Sequence, residues 1–227
     1  MRQPSDGVCM NMRRRILEGN LLLPKLGLVV GTQGNLSGYE PKTGSVFIKP
    51  SGVPYEEMCE DDIVEIALDG TVLKGTKKPS VDWPHHAFIY RNFPGITGVV
   101  HTHSPYATAF AAAGLPIPCL TTGQADIFGG DIPVTDYADN TADNIGRTIV
   151  KCYRKGCPAI LIGKHGVFTL AETPEKAVFA AQMTEFFAQI NYSAIMLGRV
   201  HRKKLNPLPD AEIEKWYKRY HGGGYGQ

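Results

Sequence analysis

The chain has 227 residues, enough for one substantial hydrophobic core, and this length favours a single domain. Hydrophobic residues make up 43% and charged residues 20% of the chain, as in an ordinary globular protein. A formal net charge of +2 gives no reason to expect a nucleic acid or a membrane surface as a partner. No apolar run approaches the roughly 18 residues of a membrane span, and residues 1–15 lack the apolar segment of a signal peptide. Five cysteines in no framework pattern indicate reduced thiols, so we expect a cytoplasmic protein.

The first third of the chain predicts one helix and several short strands. Apolar spacing predicts a helix from about Asn11 to Leu23, ended by Pro24. Strands are predicted over 26–32 and 45–49. The segments 63–68 and 71–73 flank an Asp-Gly pair, which is typical of a β-hairpin.

Two turns in this region contain residues that can bind an anion. Gly34 and Asn35 follow the first predicted strand, and Ser51 and Gly52 follow the second, next to Lys49. Backbone N–H groups and hydroxyls in such turns can hold a phosphate, and a lysine adds a positive charge. Taken alone, each turn is more typical of an ordinary loop.

A helix is predicted from about Trp83 to Asn92, with Asp82 immediately before it. Asp82 stands where an N-cap belongs, and Pro84 occupies the first turn. The same carboxylate at the start of a helix is also a candidate metal ligand or base. Its position in the sequence does not choose between these interpretations.

The most informative stretch is ITGVVHTHS, residues 96–104, which predicts a strand ending in two histidines. Side chains alternate along a strand, so His101 and His103 face the same way. Two imidazoles at this spacing can bind zinc, although a zinc site usually needs a third protein ligand. His165, at the end of the apolar strand predicted over 159–163, is a candidate for that ligand. The competing interpretations are an exposed histidine pair and a hydrogen-bonded core histidine.

The rest of the chain predicts alternating helices and strands. Helices are predicted over 105–114, 140–154, 173–197 and 210–220, and strands over 132–135, 159–163 and 167–170. Asp126 is predicted in a glycine-rich loop, where carboxylates are usually solvated. Residues 221–227 are typical of a loose tail. The pattern as a whole predicts a mixed α/β domain.

Seven motifs in a fixed order resemble those of the class II aldolase and adducin family. They are GNLSG (34–38), IKPSGV (48–53), GTKKPSVD (75–82), VVHTHS (99–104), ADIFGG (125–130), GKHG (163–166) and a final YGQ. The resemblance runs from about Asn20 to the last residue. It implies a single α/β domain whose central, mostly antiparallel β-sheet is flanked by helices.

The resemblance also implies a set of site residues. The metal, Zn²⁺ or another divalent ion such as Mn²⁺ or Co²⁺, would be held by Asp82, His101, His103 and His165. Substrate contacts would come from Gly34, Asn35, Lys49, Ser51, Gly52, Ser80, Val81 and Thr122. Asp126 and Tyr225 match the family's acid/base pair, and Tyr225 is expected to reach a neighbouring subunit of a homotetramer.

Within the family, the motifs are most similar to those of sugar-phosphate 4-epimerases. This implies interconversion of L-ribulose 5-phosphate and D-xylulose 5-phosphate by cleavage and re-formation of the C3–C4 bond. Two positions depart from that pattern, because Val81 replaces a serine of the phosphate turn and Trp216 replaces a histidine of the last helix. The alternatives are an aldolase of the L-fuculose-1-phosphate type and a non-catalytic adducin-like scaffold.

Overall fold

The computed structural model describes residues 11–223 and has the predicted α/β architecture. Eight strands form one sheet in the order β4-β3-β2-β1-β5-β8-β7-β6. All neighbouring pairs are antiparallel except β6 and β7, which are parallel. The strands are β1 (Asn35–Glu40), β2 (Ser45–Ile48), β3 (Val64–Ala67), β4 (Val72–Lys74), β5 (Gly98–Thr102), β6 (Val134–Tyr137), β7 (Ala159–Gly163) and β8 (Gly166–Ala171).

Seven α-helices of the described chain flank this sheet. They are α1 (Met12–Lys25), α2 (Trp83–Asn92), α3 (Pro105–Ala113), α4 (Thr122–Phe128), α5 (Asn144–Cys152), α6 (Pro174–Val200) and α7 (Asp210–His221). Two short 3₁₀ turns, Tyr55–Glu57 and Glu60–Asp62, join β2 to β3. None of the helices within 11–223 is long and apolar enough to cross a membrane.

Helices cover both faces of the sheet, because successive side chains of a strand point to opposite faces and both faces here are apolar. On one face, α1 and α6 pack against residues such as Leu36 and Val100. On the other face, α2 and α5 pack against residues such as Val99 and Phe168. Helix α3 and the middle of α6 enclose a third cluster next to β7 and β8. Strand β5 therefore lies at the centre of the core, and its end carries the two histidines.

The strand predicted over 26–32 is wrong. These residues form turns, with positive φ at Gly27 and Gly31, while Leu28 and Val29 are buried without joining the sheet. The first strand is instead 35–40, which the sequence presented as a turn. Its polar side chain Ser37 is buried, and a hydrogen bond satisfies the hydroxyl, which lies 2.7 Å from the Nδ1 of His86. This strand was missed because it buries polar side chains that bond to a distant helix, and so lacks the apolar alternation that normally identifies a strand.

Two helix predictions also need correction. Helix α1 continues through Pro24 to Lys25, because a proline in the last turn removes only one helical hydrogen bond. The loop predicted around Asp126 is helix α4, in which the Thr121 hydroxyl accepts a hydrogen bond from the Gln124 N–H and a left-handed Gly129 ends the helix. The predicted hairpin over 63–73 and the helix at Trp83–Asn92 are confirmed.

Candidate metal and substrate site

Two neighbouring strands bring the three predicted histidines together. Strand β5 carries His101 and leads directly into His103, while His165 lies in the tight turn between β7 and β8. Since β5 pairs with β8, this turn sits beside the end of β5. A Cβ atom at Gly166 would lie 2.6 Å from the Thr102 carbonyl oxygen and 3.0 Å from the His103 ring, so only glycine permits this approach.

The three imidazoles converge through their Nε2 atoms. The His101 Nε2 lies 2.9 Å from the His103 Nε2 and 3.2 Å from the His165 Nε2. All three lie within 4.8 Å of one another, which marks them as a group able to hold a metal ion. Tetrahedral zinc with Zn–N distances of about 2.0–2.1 Å would separate its ligand nitrogens by roughly 3.3 Å. The observed cluster therefore fits such an ion.

The protonation of the cluster also suits a metal. The His101 Nδ1 lies 3.0 Å from the Val167 carbonyl oxygen, and a carbonyl can only accept, so Nδ1 carries the proton and Nε2 is left free. Burial, with a smaller contribution from the two neighbouring imidazoles, lowers the pKa of His101 to about 4, although the Asp82 carboxylate opposes this shift. Burial likewise lowers the pKa of His103 and of His165. All three rings are thus neutral near pH 7, the form that binds metals.

Asp82 lies next to this cluster but outside its innermost group. Among the described residues, the set of mutually close ligand atoms contains the three imidazoles only. The Asp82 carboxylate accepts hydrogen bonds from the Asn35 amide at 2.7 Å and from the Ser80 hydroxyl at 3.4 Å. Burial alone would raise the pKa of Asp82, but the nearby His101 and His86 rings and the Asn35 hydrogen bond hold it below its ordinary value.

The capping interpretation of Asp82 is wrong. Asp82 precedes helix α2 but has helical backbone angles, and its side chain makes no capping hydrogen bond. Its carboxylate is directed toward the Asn35 amide of β1 instead. Asp82 is therefore a buried acid whose partners belong to the site, and its role as a metal ligand stays a prediction.

One cavity of about 320 Å³ contains the histidine cluster and most of the predicted substrate residues. From the predicted set it is lined by Gly34, Asn35, Lys49, Ser51, Gly52, Ser80, Val81, Asp82, His101, His103 and His165. Four further lining residues, Thr32, Gln33, Pro50 and Asn140, were not predicted. Three of the four lie within two positions of predicted turn residues, and this proximity is a signal in the sequence. Asn140 lies three residues after β6, and no pattern in the sequence links it to the other lining residues.

In the wall of this cavity, the turn that carries Ser51 and Gly52 lies against the loop at residues 78–80. The Ser51 N–H donates to the Lys78 carbonyl, and the Ser80 N–H donates to the Lys49 carbonyl, so the two loops are tied together. Lys49 is 2% exposed, its ammonium donating to the Thr32 carbonyl at 3.1 Å and lying 4.7 Å above the Tyr55 ring. Burial lowers the pKa of Lys49. Val81 is 66% exposed and offers no hydrogen bond.

Two predicted residues within 11–223 do not line this cavity. Thr122 and Asp126 belong to helix α4, which packs against α7. Asp126 is mostly buried there instead of lying in an open loop. Tyr225 lies outside the described residues, so its position is not part of the structure.

A second cavity of similar volume, about 330 Å³, lies between α6, α7 and the far end of β8. Its walls include the aromatic side chains of Tyr153, Phe179, Tyr217 and Tyr220. None of the three clustered histidines lines it. The candidate site is therefore the polar cavity at the end of β5.

Comparison with known proteins assigns the chain to the same family that its motifs resemble. Residues 14–192 match the family model described as class II aldolase and adducin N-terminal domain. A protein named L-ribulose-5-phosphate 4-epimerase UlaF, from Salmonella paratyphi B, is 38% identical over 95% of this chain and 98% of its own length. The protein of the same name from Salmonella typhi matches with the same identity and coverage.

Solved structures agree with the fold. An L-fuculose 1-phosphate aldolase superposes with a TM-score of 0.83 at 27% identity, covering 96% of this chain and 98% of its own. The L-fuculose 1-phosphate aldolase from Glaciozyma antarctica PI12 superposes with a TM-score of 0.77 at 20% identity, covering 96% of this chain and 86% of its own. At that identity the second likeness concerns the fold alone. Family model, relatives and fold together show that this chain belongs to the class II aldolase and adducin family.

Proposed function

We propose that this protein is a metal-dependent L-ribulose-5-phosphate 4-epimerase. It interconverts L-ribulose 5-phosphate and D-xylulose 5-phosphate by retro-aldol cleavage of the C3–C4 bond and re-addition to the other face of the aldehyde. The observation that carries the proposal is one cavity in which three converging imidazoles face two anion-binding turns. The 38% identity to proteins named for this activity supports the choice of reaction.

In this proposal His101, His103 and His165 hold a divalent ion, Zn²⁺, Mn²⁺ or Co²⁺, with Asp82 beside them. When bound, such an ion supplies Lewis-acid polarisation of a sugar carbonyl. The protein keeps the three rings neutral by burial and fixes the His101 tautomer through the Val167 carbonyl.

The other end of the cavity binds the phosphate. Ser51, Gly52 and Ser80 provide hydroxyl and backbone donors there, and Gly34 and Asn35 close the wall. Lys49 adds a positive charge from beneath these turns. A tethered phosphate would keep the cleaved aldehyde fragment in the cavity long enough to turn and react again.

Asp126 and Tyr225 act as proton donor and acceptor on the two sides of the aldehyde. Helix α4 carries Asp126 away from the cavity of its own chain, so we assign this residue to the site of an adjacent chain. Tyr225 follows α7, which packs against α4. The proposal therefore includes a homotetramer with its active sites at subunit interfaces, near which Thr122 also lies.

A coupled assay tests the reaction. The metal-loaded protein is incubated with L-ribulose 5-phosphate, and D-xylulose 5-phosphate is detected by a coupled dehydrogenase reaction. Inorganic phosphate should compete with the substrate. Metal-loaded protein that forms no D-xylulose 5-phosphate would overturn the epimerase assignment.

An aldolase of the L-fuculose-1-phosphate type is the second candidate. The superposition with an L-fuculose 1-phosphate aldolase favours it, because the same fold supports cleavage without re-addition. Parallel incubation with L-fuculose 1-phosphate separates the two, since only an aldolase releases a free aldehyde from it. A non-catalytic, adducin-like scaffold ranks last, because a scaffold does not require three converging imidazoles. Inactivity toward both substrates would favour it.

A further inference from the structure

The three histidines are not held equally. His101 is fixed by the Val167 carbonyl at its Nδ1 and stacks on Phe168 at 4.4 Å. Within residues 11–223, the hydrogen-bonding contacts of the His103 ring involve only the His101 Nε2. The direction of the His103 ring therefore depends on its backbone, where β5 ends and α3 begins.

Helix α3 starts two residues after His103 and lacks a cap from its own N-terminal side chain. Ser104 occupies the N-cap position, but its hydroxyl makes no capping hydrogen bond. Pro105 has no N–H to satisfy, so the first free donors are the N–H groups of Tyr106 and Ala107. In most helices an N-cap side chain accepts from one of these two donors.

Glu185, on the neighbouring helix α6, takes the place of the missing cap. One of its carboxylate oxygens accepts the Tyr106 N–H at 2.9 Å, and the other accepts the Ala107 N–H at 2.9 Å. A carboxylate is also favoured at the positive end of a helix. The rings of Tyr106 and Tyr192, 5.5 Å apart, add a second contact between α3 and α6.

We propose that Glu185 is a positioning residue for the metal site. By holding the N-terminus of α3 against α6, it fixes the backbone that directs the His103 ring toward the other two imidazoles. Glu185 does not line the cavity, so it acts only through α3. This inference rests on the proposed function, because it assumes that the histidine cluster binds a metal.

The test measures zinc affinity by competition with a chromophoric chelator, using the full-length protein. Glu185→Ala removes both acceptors, and Glu185→Gln keeps one neutral acceptor. The matched control is Thr173→Ala, since Thr173 caps the N-terminus of α6 by accepting from the Lys176 N–H. Thr173 adjoins the opposite end of β5, where a Cβ at Gly98 would meet its carbonyl. The control therefore removes a helix cap far from the histidines.

We expect Glu185→Ala to weaken zinc binding about tenfold, the lower end of what supporting residues of metal sites contribute. Glu185→Gln should weaken it less, and Thr173→Ala should lower the melting temperature without changing zinc affinity. Unchanged affinity in Glu185→Ala, or an equal loss in Thr173→Ala, would overturn the inference. If Glu185→Ala does not fold, Glu185→Gln decides, and zinc affinity equal to the wild type overturns it. Failure of the wild type itself to bind zinc would instead overturn the proposed function.

Discussion

At the scale of single residues, a variant of Asp126 tests whether catalysis and metal binding depend on different side chains. Asp126→Asn keeps the volume of the side chain and removes its ability to take a proton. We expect turnover to fall about a hundredfold or more, because positioned acid/base groups contribute about 10²–10⁴ to rate. Metal content, measured by atomic emission, should stay at the wild-type value. Loss of bound metal in this variant would contradict the role assigned to Asp126.

Lys49 makes stability depend on pH in a defined direction. Burial lowers its pKa below the ordinary value of 10.5, so between these two values the unfolded chain binds more protons than the folded chain. The free energy of unfolding should therefore rise with pH through that window, and at lower pH the cost of the buried charge is complete. Lys49→Met removes this cost.

We expect Lys49→Met to be more stable than the wild type at pH 7, with a difference that shrinks as pH approaches 10.5. Urea unfolding at pH 7 and pH 10 measures this difference in free energy of unfolding. The matched control is Lys155→Met, in which an exposed lysine is replaced. A wild type more stable than Lys49→Met at pH 7 would contradict the expectation, as would a difference independent of pH.

Residue types in the site were predictable where a local pattern encodes them. The period of two along a strand places His101 and His103 on one face, and this survives folding. Partners across the fold are not encoded locally. The Asn35 amide reaches the Asp82 carboxylate over 47 positions of sequence, so only the fold distinguishes a helix cap from a site carboxylate here.

At the scale of elements, Arg154 supports the helix that carries Asp126. Its guanidinium donates to the carbonyls of Phe128, Gly129 and Asp131 at 2.7, 2.8 and 2.9 Å, at the end of α4. Charged hydrogen bonds of this kind contribute about 1.5–3 kcal/mol. Arg154→Met should therefore lower the free energy of unfolding by about 2 kcal/mol.

Urea unfolding of Arg154→Met and Lys155→Met measures that loss, since the neighbouring Lys155 is an exposed control. Turnover should also fall in Arg154→Met at temperatures where the protein is folded, while metal content is unchanged. Equal stability of the two variants would show that the end of α4 is held by other contacts.

Elements were predictable where local signals are strong, as in α6, which begins with a Thr173 cap and a proline, and in the β3–β4 hairpin with its Asp-Gly turn. Prediction failed where buried apolar residues do not form a strand, or where a strand buries polar side chains. Leu28 and Val29 are buried in a turn, and β1 hides polar side chains that bond to α2. Helix α4 was missed because it has only seven residues, contains Gly123 and is followed by Gly129 and Gly130, and clustered glycines usually indicate a loop.

At the scale of the whole molecule, α6 exposes an apolar surface that a lone chain would leave in water. Its exposed large apolar side chains are Phe179, Phe186, Tyr192, Ile195, Met196, Leu197 and Val200. Exposed large apolar side chains grouped on one helix are typical of an interaction site. We predict that this surface contacts other subunits of the proposed homotetramer.

Sedimentation equilibrium should give a mass about four times the 24.8 kDa of one chain. Leu197→Asp places a charge at a side chain that is 61% exposed, and it should produce smaller species. Gln182→Asp, at an exposed polar position of the same helix, should not. A monomeric wild type would contradict both the surface assignment and the shared active sites.

The proposed function depends on one divalent ion held by three imidazoles, two from the end of β5 and one from the turn between β7 and β8. Inductively coupled plasma mass spectrometry of the purified protein after incubation with Zn²⁺ and desalting measures this directly. We predict about one zinc per chain in the wild type and almost none in His103→Ala, because loss of one of three histidine ligands leaves too few donors. A wild-type chain without bound metal, or His103→Ala with as much zinc as the wild type, would contradict the account.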